Sequence, residues 1–369
     1  MHRITQRSRA RYHCGRPVAC PVTRILIVNS SHPEPQRIAE AAGCLRGGGL
    51  VAFPTETVYG LGVSALDAAA VRRLFAAKGR PSNDPLIVHV ADVEHVAPLV
   101  AVRPSVVDAL AARFWPGPLT LVLPRSPLVP DEVTAGLHTV AIRVPAHPVA
   151  QALLRAAAIP VAAPSANLFS RPSPTRAAHV LEDLDGRIDL VLDGGPTQVG
   201  VESTVLDLSG EVPTVLRPGA VTLDLLRPLL PDVRMRGEDA GAQEPLRSPG
   251  LLTRHYSPRA PLTLYEGASP AVLGRIADDI RAAQAAGRRV GVLLGDDDDL
   301  PVPGVVRPAL GRSDDAAAIA ARLYAALREL DAAGVDEILA RALPALDGLG
   351  AAIGDRLRRA AAGRVVHCE

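Results

Sequence analysis

The chain has 369 residues, with 40 Lys and Arg against 39 Asp and Glu and a net charge of +1. That length exceeds one ordinary core and predicts two domains, while so balanced a charge argues against a protein whose main business is coating nucleic acid. Aromatic residues make up only 3% of the chain, too few for the stacking platforms of single-strand binders.

Residues 1–24 carry six arginines and no acid, and no apolar stretch follows them. They fail as a secretory signal and read as a disordered basic tail or an over-extended start. A strand is expected over 24–28, then a helix over 34–47 with Pro35 in its first turn and glycines at its end. A buried strand over 50–53 runs into a turn rich in hydroxyls and glycine that reaches residue 62. The helix expected over 65–77 has Asp67 as N-cap, with Val71, Leu74 and Phe75 on one side. Strands follow over 86–90, 119–123, 140–144, 161–163, 190–193 and 203–207, with helices over 104–114 and 148–158. Strands mixed with helices without strict alternation predict an α/β domain with a twisted, mixed sheet over residues 25–230.

From residue 231 to about 260 the pattern dissolves into Gly, Pro, Glu and Arg, the composition of a linker. Over 261–369 strands at 262–265, 289–294 and 337–343 alternate with helices at 271–286, 314–333 and 350–362. These βα units predict a smaller, Rossmann-like α/β domain. It has no G-x-G-x-x-G after a strand, so dinucleotide binding is not supported. The four aspartates at 296–299 read as a solvated loop rather than a divalent-ion site. Cys14, Cys20, Cys44 and Cys368 have no metal-type or disulfide-framework spacing. No apolar run of about 18 residues predicts a membrane span, and the expected compartment is the cytoplasm.

Several polar groups punctuate the apolar strands. Lys78 and Arg80 lie one residue apart between a helix and a strand, where they serve either as a solvated turn or as phosphate-neutralising charge. His89 ends the strand Leu86-Ile87-Val88-His89-Val90 and reads either as a satisfied core residue or as a donor to a carboxylate. Arg143 lies inside the apolar strand Val140-Ala141-Ile142-Arg143-Val144. Its guanidinium needs a partner, which a substrate carboxylate or an internal acid supplies equally well. Ser165 and Asn167 close another strand, Ser203 follows a glycine-rich stretch, and Leu216-Arg217-Pro218-Gly219 ends the domain. No S-x-x-K or G-x-S-x-G surrounds the serines, so a nucleophilic serine is disfavoured, and there is no Walker A loop.

Taken together, these segments resemble the YrdC-type threonylcarbamoyl-AMP synthase family in its long two-domain form. The marks are Phe53-Pro54-Thr55-Glu56-Thr57-Val58-Tyr59-Gly60-Leu61, Lys78-Gly79-Arg80-Pro81, Pro85-Leu86-Ile87-Val88-His89, Pro164-Ser165-Ala166-Asn167 and Leu216-Arg217-Pro218-Gly219. Ser248-Pro249-Gly250 and Arg254-His255-Tyr256-Ser257-Pro258 in the linker, and Gly348-Leu349-Gly350 near the end, extend the resemblance to the C-terminus. It implies a YrdC-like mixed-sheet catalytic domain and a nucleotidyltransferase reaction. L-threonine, bicarbonate and ATP give threonylcarbamoyl-AMP and pyrophosphate, with Mg²⁺ expected to accompany ATP. The product feeds a tRNA modification beside the anticodon, so tRNA and a downstream tRNA-modifying complex are expected partners.

Carried over by position, the resemblance puts Thr57, His89, Arg143, Ala163 and Ser203 around threonine. It puts Arg80, Asp84, Thr139, Ser165, Asn167, Ser173, Arg217 and Tyr256 around ATP, with Lys78 and Arg80 stabilising phosphate charge and no protein metal site. The linker with Tyr256 is the expected lid. One departure is Asp84, where the family usually has asparagine; a carboxylate there repels phosphate unless Mg²⁺ or Arg80 screens it, so either Asp84 recruits the metal or Asn83 supplies the amide after a small shift. Two other classes remain. A non-catalytic double-stranded RNA-binding module would show steeply salt-dependent RNA binding without pyrophosphate release. A carbamoyl-transfer enzyme of hydrogenase maturation would carry paired C-x-x-C motifs, and this chain has none.

Overall fold

The computed structural model describes residues 22–237, 255–343 and 348–369. Most of the basic tail, and Ser248, Pro249, Gly250 and Arg254 of the linker signature, lie outside the described residues. The first unit runs β1 (Arg24–Ile27), α1 (Pro35–Arg46), β2 (Val51–Pro54), β3 (Tyr59–Ser64), α2 (Ala68–Lys78) and β4 (Ile87–His89). After a 3-10 turn (Val93–Leu99) come α3 (Val106–Phe114), β5 (Leu119–Pro124), α4 (Asp131–Thr134), β6 (Thr139–Arg143), α5 (Pro148–Ala157) and β7 (Val161–Ala162). It closes with α6 (Ala177–Leu184), β8 (Leu190–Asp193), β9 (Thr204–Asp207), β10 (Thr214–Arg217), α7 (Leu223–Leu226) and β11 (Arg234–Met235). The second unit runs β12 (Leu262–Gly267), α8 (Ser269–Ala285), β13 (Val290–Leu293), α9 (Ala316–Ala332), β14 (Glu337–Arg341), α10 (Leu349–Ala361) and β15 (Val365–Cys368).

Among the described residues the first sheet has the order β1-β8-β2-β3-β7-β4-β6-β5-β9-β10-β11, and its pairs are both parallel and antiparallel. The second has the order β13-β14-β12-β15 with all pairs parallel. The mixed α/β class with a smaller parallel-sheet unit is therefore as expected. Central strands such as β2 and β4 are buried on both faces, which is why they read as continuous apolar runs rather than alternating ones. Asp67 caps α2 as expected, accepting hydrogen bonds from the amides of Ala69 and Ala70.

Several elements depart from the expectation. β3 occupies the stretch read as a turn. Its Gly60 and Gly62 look like strand breakers, but a Cβ at Gly62 would lie 2.8 Å from both Phe53 Cε1 and Val161 Cγ1. The glycine is there because the Phe53 ring crosses the strand. α4, α6, α7, β10, β11 and β15 were not expected at all; apart from α6 each has four residues or fewer, too short for an apolar period to show. Nor is the aspartate loop simply solvated. Asp296 accepts from the amides of Leu310 and Gly311, Asp297 from that of Ser313 and Asp298 from that of Gly295, so the carboxylates cap the loop's own backbone. No described helix is long and apolar enough to cross a membrane.

The two units share packing. The apolar cluster between the second sheet and helices α9 and α10 also takes in Val58 and Val201 of the first unit and Tyr256 of the linker. That contact places the second unit against the side chains described next.

Candidate active site

Sheet register creates the site. β4 and β6 are parallel, and His89 stands opposite Arg143. β7 flanks β4 on its other side, and the chain leaving it returns to β3 through a bridge between Ser165 and Gly60. The turn between β2 and β3 is locked by Thr55, whose hydroxyl donates to the Val58 carbonyl at 2.6 Å and accepts from the Thr57 and Val58 amides. These segments, with the loop entering β9 and the end of β10, line a cavity that opens to solvent.

Arg143 is buried on one wall. Its Nε donates to the Gly117 carbonyl at 3.2 Å, Nη1 to the Thr57 hydroxyl at 3.0 Å and Nη2 to Glu56 Oε1 at 2.6 Å. Glu56 Oε2 accepts the Ala146 amide at 3.0 Å. The internal acid left open by the sequence is therefore Glu56. A guanidinium has five N–H groups; with three engaged, two have no partner among the described residues. His89 beside it is fully enclosed, and burial, reinforced by the Arg143 charge, pushes its imidazole down to about 3. It is neutral at pH 7 and keeps one ring N–H for donation. The Ser203 hydroxyl lies 2.8 Å from that of Thr120 and accepts from Arg217 Nη2 at 3.2 Å.

Arg80 lines the same cavity. Its Nη2 reaches the Pro85 carbonyl at 3.0 Å and stands 2.8 Å from Asp84 Oδ2, while Nη1 has no partner among the described residues. Asp84 is fully buried, and neither oxygen accepts a well-directed hydrogen bond. Burial raises its carboxyl, and the charges of Arg80 and Lys78 oppose the rise. Arg80 is therefore the counter-charge of this buried carboxylate. Lys78 lies behind the wall, donating to the carbonyls of Ser165 and Asn167. Burial, and then repulsion from Arg80, lowers its ammonium well below the ordinary lysine range.

Thr57, His89, Arg143, Ala163, Ser203, Arg80, Ser165, Arg217 and Tyr256 thus converge on one cavity. Five expected residues stand off it. Lys78 supports the Ser165 loop, Asp84 backs Arg80, and Asn167 donates within its own loop to the Leu168 and Arg171 carbonyls. Ser173 donates to Glu202 at 2.5 Å. Thr139 begins β6, at the far end from Arg143 and roughly 13 Å away at strand rise. Sequence reasoning missed Glu56 and Glu202, although a buried arginine in a strand is itself a signal that an acid must be near. Of the expected lid, His255 and Tyr256 line the cavity, with ring centroids 4.1 Å apart.

This is the architecture of an enzyme whose polar cavity lies in the mixed-sheet unit, with a second α/β unit packed beside it. A family model described as "Telomere recombination" matches residues 43–219, and one described as "Threonylcarbamoyl-AMP synthase, C-terminal domain" matches 221–362. The chain is 47% identical over 335 residues to the threonylcarbamoyl-AMP synthase of Bacillus subtilis, covering 90% of this chain and 95% of that one. It is 44% identical over 337 residues to the synthase of Pyrococcus abyssi, covering 90% and 96%. The crystal structure of P. abyssi Sua5 complexed with L-threonine superposes with a TM-score of 0.89 at 43% identity, covering 94% of this chain and all of that one. The chain belongs to the threonylcarbamoyl-AMP synthase family.

Proposed function

We propose that this chain joins L-threonine, bicarbonate-derived CO₂ and ATP into threonylcarbamoyl-AMP, releasing pyrophosphate. The observation that carries the reading is the convergence of Arg143, Thr57 and His89 with Arg80, Arg217 and Tyr256 on a single cavity. The first group suits a zwitterionic amino acid, because two unengaged guanidinium N–H groups and a neutral imidazole can hold a carboxylate. The second suits a polyphosphate, which cations bind through charge and directed N–H groups.

The reaction requires threonine's amine to attack CO₂ and lose a proton, giving a carbamate. A carbamate oxygen then forms a bond to the α-phosphorus of ATP as the bond to the bridging β-phosphate oxygen breaks. Such transfers depend on alignment and charge stabilisation rather than on a covalent nucleophile. Arg80 and Arg217 would stabilise the phosphates as charge moves onto pyrophosphate. Lys78 would act by holding the Ser165 and Asn167 carbonyls rather than by touching phosphate. His255 and Tyr256 would limit water access to the labile adenylate.

Mg²⁺ would enter with ATP as part of the substrate. Among the described residues no group of three or more His, Cys, Asp or Glu could hold a metal, and a phosphate-bound Mg²⁺ needs only one or two protein carboxylates. Asp84 is fully buried behind Arg80 and off the cavity, so the phosphates themselves would carry the ion. An enzyme that transfers the threonylcarbamoyl group to tRNA in the cytoplasm would consume the product.

The test is pyrophosphate release from ATP, with threonine or bicarbonate omitted in turn. Release that requires both supports the reading, and release independent of threonine overturns it.

A further inference from the structure

The second unit contributes no side chain to the substrate contacts above, yet it touches the cavity wall through one buried carboxylate. Glu202 lines the cavity and is 7% exposed. Its Oε1 accepts from Ser173 at 2.5 Å, while Oε2 accepts from Tyr324 of α9 at 2.9 Å and from Arg356 Nε of α10 at 3.0 Å. Arg356 also donates through Nη1 to the Pro218 carbonyl at 2.9 Å, one residue after Arg217. The Arg217 Nε in turn donates to the Ser203 carbonyl at 3.1 Å.

The backbone repeats the arrangement. A Cβ at Gly200 would lie 2.2 Å from the Ala320 carbonyl oxygen and 2.4 Å from Ala321 Cα, so this loop runs directly against α9. On its other side, the amides of Val199 and Gly200 donate to the carbonyls of Glu56 and Thr57. The loop bearing Glu202 and Ser203 is therefore clamped between the second unit and the turn that carries Thr57.

Apolar packing alone would join two units at least as stably, because a buried ion pair rarely gains over a hydrophobic contact of similar volume. What a buried, directed network adds here is geometry: three donors from separate segments fix one carboxylate. We propose that Arg356 and Tyr324 are positioning residues for the reaction. Through Glu202 they hold Ser203, Ser173 and Arg217 in register, so the second unit completes the substrate-binding wall. This inference rests on the reading of the cavity as the meeting place of threonine and ATP.

The test uses the full chain and three variants: Tyr324→Phe, Arg356→Met and the double variant Glu202→Gln with Arg356→Met. Tyr324→Phe keeps the ring, which stacks 5.5 Å from Tyr256, and removes one hydrogen bond to a charged group. Its KM values for ATP and threonine should rise about 5-fold with kcat within about 2-fold, the signature of lost binding geometry. Arg356→Met should raise them further and lower the melting temperature. The double variant neutralises the stranded carboxylate, so it should regain stability while keeping the raised KM values. Threonine affinity measured without turnover, by calorimetry, should weaken in parallel. Wild-type KM values and threonine affinity in Tyr324→Phe, or KM values that recover together with stability in the double variant, would overturn the inference. A wild-type chain that does not bind threonine would overturn the function reading itself, a result distinct from either.

Discussion

Arg143 Nη2 lies 2.6 Å from Glu56 Oε1, and the two side chains are 4% and 7% exposed. Glu56 belongs to the turn between β2 and β3 and Arg143 to the end of β6, so one ion pair ties that turn to a strand that neighbours neither β2 nor β3 in the sheet. It also directs Arg143 Nη1 onto Thr57. The pair therefore sets the orientation of a guanidinium that would otherwise have several rotamers.

Glu56→Gln should test that role. Removing one partner of a buried pair typically costs about 3–5 kcal/mol when a bare charge is left behind. Glutamine retains a carbonyl acceptor for Arg143, so the expected loss is nearer 2 kcal/mol, read as a lower urea midpoint. The KM for threonine should rise by about 10-fold with little change for ATP. Equal rises for both substrates would show that Glu56 does not act through Arg143.

Lys78 and Arg80 should both be needed for turnover, by different routes. Arg80→Met should reduce pyrophosphate release by about 100-fold or more, comparable with the loss of one preorganised charge-stabilising donor. It strands Asp84, so adding Asp84→Asn should restore stability without restoring activity. Lys78→Met leaves the buried Ser165 and Asn167 carbonyls without their donor, at about 1–3 kcal/mol for each unsatisfied group. Its expected signature is lost stability together with lost activity. Near-normal release in Arg80→Met would remove the phosphate assignment, and near-normal stability in Lys78→Met would remove the structural role given to Lys78.

Gly62→Ala should destabilise the first unit by about 1–3 kcal/mol, since the added methyl meets Phe53 and Val161 side chains that are themselves fully buried. Chemical denaturation would measure it. An unchanged midpoint would mean that the Phe53 ring can move aside.

Gly62 also shows where the sequence was legible and where it was not. Strands such as β2 and helices such as α2 declared themselves by apolar run, spacing and cap. β3 did not, because Gly62 answers to a ring contributed by another strand, a tertiary cause invisible to local pattern. The same holds at the site. The motif residues that line the cavity could be listed, but nothing in the order of residues showed that Lys78 faces backbone carbonyls while Arg80 lines the cavity. Nor did it show that Glu202 is held by residues more than a hundred positions away, because long-range partners of buried charges are set by topology.

Acid should destabilise this protein through histidines before carboxylates. Burial, then the Arg143 charge, pushes His89 down to about 3 from the ordinary 6.5. Burial likewise takes His255 to about 3, with Arg80 and Lys78 adding to the fall and Glu202 opposing it, and His179 to about 4, with Arg328 adding to the fall. Each is neutral in the folded state where the unfolded chain would bind a proton, so the native state holds fewer protons and stability rises with pH. The stability is complete above about pH 6.5 and is lost as pH falls toward the folded values. Glu202, with burial outweighed by Arg356 and Arg217, is held at about 2 and adds its own loss only below about pH 4.5. The urea midpoint should therefore be flat from about pH 8 to 7 and fall between about pH 6 and 5. There each buried histidine adds up to about 1.4 kcal/mol per pH unit to the slope. His89→Gln and His255→Gln should each make that slope shallower, whatever they do to the midpoint at pH 8. Curves parallel to wild type would mean that these imidazoles take up protons as readily in the folded chain as in the unfolded one.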